Sequence, residues 1–332
     1  MDLNYLIHKS MSLVIIPLVL VSLCWILPLL FLFRLIFSFF QFFSQENMAG
    51  KVVLITGASS GIGEQMAYEY AKKGACLVIV ARRKKKLEEV AAQARELGSP
   101  DVVVVCGDVS NINECKQFID EAIHHFGRLD HLVNNAGVTG GYPFEEITDI
   151  TKFALLMDVN FWGTVYPTYF AIPHLRKTKG KIFVNSSSCA FLQPPRLSFY
   201  NASKAALIGF FEALRIELAP SVTITIATLG IIDSEMSRGK ILSKDGELIL
   251  SPENSKVSVD MQGVFEGFPV MNTEPATKSI VDSICRGERY VTEPQWYGAI
   301  HLLKDLCPEM VEWYYSIMYF KKKSSLFAEK SD

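Results

Sequence analysis

The sequence predicts an α/β fold: a single doubly wound, Rossmann-type parallel sheet with helices on both faces, preceded by an N-terminal membrane anchor. Three observations predict it. Short apolar, β-branched runs alternate with segments of helical spacing over residues 48–290, the pattern of parallel βαβ crossovers whose sheet is covered on both sides. A glycine-rich turn joins the first run to the first helical segment, the context in which such a turn is informative. The apolar residues, 49% of the chain, crowd its start.

Residues 1–47 form the expected anchor. Between residues 11 and 43 the charged side chain is Arg34 alone. As one straight helix this run would reach roughly 50 Å, longer than the ~30 Å hydrocarbon core of a bilayer. Pro17 and Pro28 interrupt it, each opposing a continuous helix in water by ~3 kcal/mol. Two arrangements fit: a tilted or kinked single-pass helix, and a hairpin folded at the prolines and buried from one side, as a lipid-droplet monolayer would require. A cleavable signal peptide fits poorly, because Phe39, Phe40, Phe42 and Phe43 stand where small residues should follow the apolar core. Lys9 on one side, and Lys51 balanced by Glu46 on the other, leave the orientation open.

Residues 48–295 form the expected dinucleotide-binding domain. Strand-like runs stand at 51–56, 76–81, 102–106, 131–133, 181–185 and 223–228. Between them, Leu87, Val90, Ala91, Ala94 and Leu97 keep the i, i+3, i+4, i+7 rhythm of a helix. The stretch 231–275 breaks this alternation and is too long for a plain connection. Leaving a late strand, it is placed as a substrate lid over the ligand crevice or as a passive surface insertion. Residues 296–332 carry Trp313, Tyr314, Tyr315, Tyr319 and Phe320 before Lys321-Lys322-Lys323. That composition suits a membrane interface, and equally a dimer contact or a helix packed on the domain.

Charge and cysteines exclude several classes. A formal net charge of −2 gives no reason to expect nucleic acid as a partner. Seven cysteines without a CxxC pair argue against a disulfide framework or zinc site and for a reducing compartment. The six histidines fall in no metal-ligand spacing, so no metal is expected.

In the glycine-rich turn, Gly57 permits the turn, Gly61 lets backbone N–H groups approach a pyrophosphate, and Gly63 lets helix and strand pack closely. Ser59, Ser60 and Ile62 complete the loop, and the helix N-terminus adds partial positive charge. The second strand ends at Arg82-Arg83 rather than at an acidic residue. An arginine there accommodates a 2′-phosphate, so NADP(H) is expected, with Arg82 the nearer to the strand end. Lys84, Lys85 and Lys86 read as a solvated helix start. Asp108, with Val109 beside it after the third strand, is placed to reach the adenine amine. For Asp108 the competing role is capping the helix that starts near Ser110.

Tyr200 and Lys204 stand one helical turn apart and share a face. A phenol with a pKa of about 10 is a poor base at neutral pH, and a nearby ammonium should favour its phenolate. Ser187, at the end of the preceding strand, can hydrogen-bond a substrate oxygen beside the phenol. With the nucleotide turn, these residues point to hydride transfer between a nicotinamide and an alcohol or ketone.

The turn at 56–63, Asn134-Asn135-Ala136-Gly137, Asn160, Ser187, Tyr200 and Lys204 resemble the short-chain dehydrogenase/reductase family in order and approximate spacing. The resemblance implies that Tyr200 is the general acid/base, that Lys204 tunes it and binds the nicotinamide ribose, and that Ser187 orients the substrate. It further implies that Asn160 holds a water in a proton relay, that Asn135, Ala136 and Gly137 support the cofactor, and that the chain can form a homodimer. The proline-bearing anchor, Ala81-Arg82-Arg83, Tyr290-Val291-Thr292-Glu293-Pro294 and Cys307-Pro308-Glu309 are similar to the plant 11β-hydroxysteroid dehydrogenase-like proteins, steroleosins included. That narrower likeness implies an NADP-linked enzyme acting on a steroid or sterol hydroxyl, attached to lipid droplets or endoplasmic reticulum. Leu229-Gly230 departs from the Pro-Gly common in the family, which touches the backbone facing the nicotinamide. A fatty acyl or terpenoid carbonyl as substrate, or a catalytically weak lipid-droplet structural protein, also fits the residues.

Overall fold

A computed structural model of the chain describes residues 3–42, 46–238, 240–243, 245–250 and 268–328. It comprises two compact units, Met1–Glu46 and Asn47–Asp332.

In the first unit, α1 (Leu3–Phe42) is one helix of 40 residues with Pro17 and Pro28 inside it. This replaces the hairpin arrangement. A chain of apolar side chains out of water can satisfy its backbone only within a helix, and it tolerates proline there. Within α1, Asn4–Phe33 is long and apolar enough to cross a membrane by length and composition. Many of its large side chains, Trp25 at 77% among them, are exposed, an apolar surface of the kind that lipid covers.

In the second unit, strands and helices alternate: β1 (Val52–Thr56), α2 (Gly61–Lys72), β2 (Cys76–Ala81), α3 (Lys84–Glu96), β3 (Val102–Cys106), α4 (Ile112–Phe126) and β4 (His131–Asn134). After β4 come α5 (Ala154–Met157), a π-helical turn at Asp158–Trp162, α6 (Gly163–Thr178), β5 (Lys181–Asn185), α7 (Cys189–Leu192), α8 (Ser198–Leu218) and β6 (Thr223–Ala227). The chain continues through β7 (Lys240–Leu242), β8 (Leu248–Leu250), α9 (Thr273–Arg286), β9 (Tyr290–Val291), α10 (Tyr297–Leu306) and α11 (Pro308–Ala328).

The main sheet has the order β3-β2-β1-β4-β5-β6-β9, and every pairing in it is parallel. The strand order reverses between β1 and β4, which opens a crevice beyond their carboxyl ends. Strand alternation divides the core. Val53 and Ile55 pack with Met66, Tyr70 and Ile280 on one face, while Val52 and Leu54 pack with Phe118, Leu175 and Phe211 on the other. The predicted stripe Leu87, Val90, Ala91 and Ala94 is the buried face of α3, and Lys84, Lys85 and Lys86 are exposed at its start.

Within the stretch 231–275, β7 and β8 form an antiparallel pair joined through Gly246 at φ +77°, and Leu242 bridges back to Gly140. Residues 251–267 of that stretch lie outside the described residues. The two-residue β9 extends the sheet along β6. In the C-terminal stretch, Tyr297 and Val311 are buried, and Tyr297 stacks on Trp296 with ring centroids 4.2 Å apart.

Candidate active site

The ends of β1, β4 and β5 are tied together at the crevice. Thr56 Oγ1 accepts from the backbone N–H groups of Asn135 (3.1 Å) and Ala136 (3.2 Å). Asn135 Nδ2 donates to the Thr56 carbonyl at 3.1 Å, and Asn185 Nδ2 donates to Asn135 Oδ1 at 3.0 Å. The turn after β1 can lie this close because two of its residues lack a side chain. Gly57 has φ +68°, and a Cβ on it would stand 2.8 Å from Ala136 Cα. A Cβ on Gly63 would stand 2.4 Å from Asn135 Nδ2 and 2.5 Å from the Gly57 carbonyl oxygen. Ser60 precedes α2 in an extended conformation and gives it no side-chain cap, and a helix N-terminus without such a cap favours an anion.

Arg83, not Arg82, is built into this loop. Its NH2 donates to Ser60 Oγ at 2.6 Å and to Ser59 Oγ at 3.1 Å, and its Nε donates to Ser59 Oγ at 3.2 Å. Arg82 is more exposed and stands 3.5 Å from Asp108 Oδ2. Of the two arginines, the one expected as the better candidate, Arg82, faces Asp108, and Arg83 is the one that hydrogen-bonds the loop serines. Two residues beyond the strand end, the chain has turned enough to aim Arg83 back over the serines. Asp108 Oδ1 accepts from the N–H (2.9 Å) and hydroxyl (2.7 Å) of Ser110, while the cap of α4 is Asn111. Val109 is buried beside it.

Ser187 follows β5, and Tyr200 and Lys204 lie one turn apart on α8; all three are buried. The Lys204 ammonium donates to the Asn185 carbonyl at 2.7 Å and stands 5.7 Å from the Tyr200 ring centroid. Burial, and secondarily charge on Cys189, pushes the Tyr200 phenol above its ordinary value; the Ser187 hydroxyl, in hydrogen-bonding reach, pulls the other way. Burial brings the Lys204 amine down to about 8. Burial withdraws water from both side chains and so disfavours the charged form of each.

Asn160 lies in the π-helical turn, fully buried. Its Oδ1 accepts from Val138 N at 2.8 Å, and its Nδ2 donates to the Val138 carbonyl and to Ser203 Oγ, both at 2.9 Å. The side chain thereby pins the segment after β4 to α8 beside Lys204. A Cβ on Gly137 would stand 3.2 Å from Asn160 Oδ1 and 3.5 Å from Lys204 Nζ. Leu229 is buried, and its carbonyl accepts from Ser188 N (2.8 Å) and Ser187 Oγ (3.3 Å). The backbone at the expected proline position is therefore ordered without one.

A cavity of about 890 Å³ runs from the glycine turn to the triad. Every predicted site residue lines it except Gly63 and Asn160, which support the lining from behind. Its lining includes the apolar side chains of Leu197, Ile232, Ile241, Phe268 and Val270 and the thiol of Cys189. Sequence reasoning missed Asn185, whose backbone carbonyl carries no side-chain signal, and Ser203, one residue before Lys204. It also missed Glu235, which lies in a stretch without periodicity.

A family model described as short chain dehydrogenase matches residues 51–244. The chain is 55% identical over 299 residues to 11-beta-hydroxysteroid dehydrogenase 1A of Arabidopsis thaliana, covering 90% of this chain and 84% of that one. It is 49% identical over 314 residues to 11-beta-hydroxysteroid dehydrogenase A of Sesamum indicum, covering 95% and 88%. Among solved structures, a short chain dehydrogenase/reductase from Burkholderia phymatum, in complex with NAD, shares the fold with a TM-score of 0.68 at 24% identity, covering 80% of this chain and 96% of that one.

Proposed function

Since the chain belongs to the short chain dehydrogenase family, we propose that it interconverts a hydroxyl and a ketone on a steroid- or sterol-like lipid with NADP(H), at a membrane or lipid-droplet surface. It is an oxidoreductase of CH–OH groups, and its cofactor is a nicotinamide. The observation that carries the reading is that Ser187, Tyr200 and Lys204 share one cavity with the glycine turn.

The cradle fits a dinucleotide. Side chains at Gly57 or Gly137 would press on Ala136 or on Asn160 and Lys204 and push the lining loops out of place, and α2 presents its N-terminus to a pyrophosphate. Arg83 with Ser59 and Ser60 would hold a 2′-phosphate, and Asp108 and Val109 would face the adenine. The nicotinamide, when bound, supplies or takes the hydride. Ser187 then orients the substrate oxygen, and Tyr200 gives that oxygen a proton in reduction or removes one in oxidation. Lys204 positions the phenol's surroundings and reaches the nicotinamide ribose. The apolar part of the cavity lining suits a lipophilic ring system, in keeping with the names of the relatives, and α1 would hold the enzyme where such substrates dissolve.

The test is turnover of a panel of hydroxysteroids, fatty aldehydes and terpenoid ketones with NADP(H) and NAD(H), using the full chain in detergent. Hydroxysteroid oxidation or ketosteroid reduction with NADP(H), abolished in a folded Tyr200→Phe, is expected. Undiminished turnover in that variant, or turnover confined to the non-steroid carbonyls, would overturn the reading.

A further inference from the structure

The segment leaving β6 crosses the mouth of the nucleotide groove. Its base is fixed: Met271 N donates to the Ile231 carbonyl at 3.0 Å, Asp233 N donates to the Met271 carbonyl at 2.9 Å, and the Arg238 guanidinium forks onto the Asp233 carboxylate. Beyond that base, Ser234 N donates to Ser237 Oγ at 2.8 Å and closes a turn. Ser234 Cβ stands 3.1 Å from where a Cβ on Gly61 would lie, so the turn covers the first residue of α2. From the turn Glu235 reaches back into the loop. Its Oε1 accepts from Arg83 NH1 at 3.0 Å, and its Oε2 accepts from Ser60 Oγ at 3.0 Å.

Glu235 therefore sits as an anion on the donors that would recognise a 2′-phosphate. We propose that Glu235 is a latch: it holds the segment after β6 over the glycine turn until a nucleotide bearing a 2′-phosphate displaces it from Arg83 and Ser60. The proposal rests on the NADP(H) reading.

The charges support displacement. A carboxylate offers one negative charge, whereas a phosphate monoester carries about −1.5 to −2 at pH 7 and more acceptor oxygens. Both members of the Arg83–Glu235 pair are about one-third exposed, and a pair this exposed shifts an equilibrium by about fivefold at most. The latch is therefore weak enough to open. A 2′-hydroxyl has no charge with which to compete for Arg83, so NAD(H) leaves it closed. Ile232 and Met236 of the same segment line the cavity, so release of Glu235 also changes the wall that a substrate meets.

The experiment compares wild type and Glu235→Gln, a near-isosteric change, as the full chain in detergent. It measures equilibrium binding of NADPH and NADH by nucleotide fluorescence, with hydrogen exchange over residues 234–238. Glu235→Gln should bind NADPH up to about fivefold more tightly and leave NADH affinity unchanged. In wild type, NADPH but not NADH should speed exchange over 234–238, and in Glu235→Gln exchange should be fast without nucleotide. Unchanged or weaker NADPH binding by the variant, or NADPH slowing exchange there, would overturn the latch while leaving the NADP(H) reading intact. A wild type that binds NADH as tightly as NADPH would overturn that reading, and the latch with it.

Discussion

The Lys204 ammonium is held on the Asn185 backbone carbonyl, 2.7 Å away, rather than against the Tyr200 hydroxyl. The amine is buried where its charge is poorly solvated and sits at about 8 instead of 10.5. Its function is thereby set against its stability.

The folded chain releases the Lys204 proton near pH 8, and the unfolded chain near 10.5. Between those values the unfolded state binds more protons, so stability rises with pH across that window, and below pH 8 the whole penalty remains. The shift corresponds to about 3 kcal/mol, offset in large part by the hydrogen bond from the charged amine to Asn185, about 1.5–3 kcal/mol. Lys204→Met should lose turnover yet be more stable at pH 7 by up to about 1.5 kcal/mol. The wild type should gain on it between pH 8 and 10 in thermal or urea unfolding. A Lys204→Met protein that is less stable at pH 7, with the same pH slope as wild type, would contradict this balance.

Tyr200 titrates above the ordinary tyrosine range because burial disfavours its phenolate. At pH 7 the free enzyme holds the protonated phenol, the form that donates in ketone reduction and is unready to accept in alcohol oxidation. The kcat/KM for oxidation should therefore climb with pH through neutrality without levelling by pH 9, while that for reduction stays flat over the same range. A plateau for oxidation at pH 7 would show that the phenol titrates far lower than its burial dictates.

Arg83 makes its hydrogen bonds to Ser59 and Ser60, whereas Arg82 faces Asp108. A hydrogen bond to a charged group contributes about 1.5–3 kcal/mol. Arg83→Ala should accordingly weaken NADPH binding by roughly 10- to 150-fold with little change for NADH, and Arg82→Ala should weaken it less. Equilibrium fluorescence titration decides between them. A larger loss at Arg82 would return the assignment to the residue nearest the strand.

Strands β1, β2 and β5 were legible in the sequence because a strand buried on both faces must be a largely continuous apolar run, and such runs stand at 51–56, 76–81 and 181–185. The triad and the glycine turn were legible because their spacings are fixed by one helical turn and one strand–helix junction. Tyr290–Val291 was not legible as a strand, since two residues carry no period. The choice between Arg82 and Arg83 turns on backbone direction after β2, which adjacent identical residues cannot encode. Burial of Tyr200 and Lys204 depends on how α7 and α8 pack over β5, so the direction of the phenol's shift could not be read from the Tyr200–Lys204 spacing. The Glu235 contact spans 152 residues to Arg83 and follows from the path of a loop.

Gly230 is the position where the chain leaves the sheet beside the expected nicotinamide end. A Cβ there would stand 2.1 Å from Tyr297 Cε2 and 2.4 Å from its Cζ. The Tyr297 ring cannot yield easily, because it is buried and stacked on Trp296, with Phe268 against both rings. Gly230 N also donates to the Glu293 carbonyl at 2.8 Å, which ties the backbone to the chain just past β9. Gly230→Ala should therefore destabilise by about 1–3 kcal/mol through overpacking. In a Tyr297→Leu background the same substitution should cost at least ~1 kcal/mol less, since the two sites share one contact. Urea unfolding of the four proteins in this cycle measures the coupling. Strict additivity would mean that the backbone, rather than the ring, absorbs the added methyl, and that Tyr297 does not set the spacing at this end of the cavity.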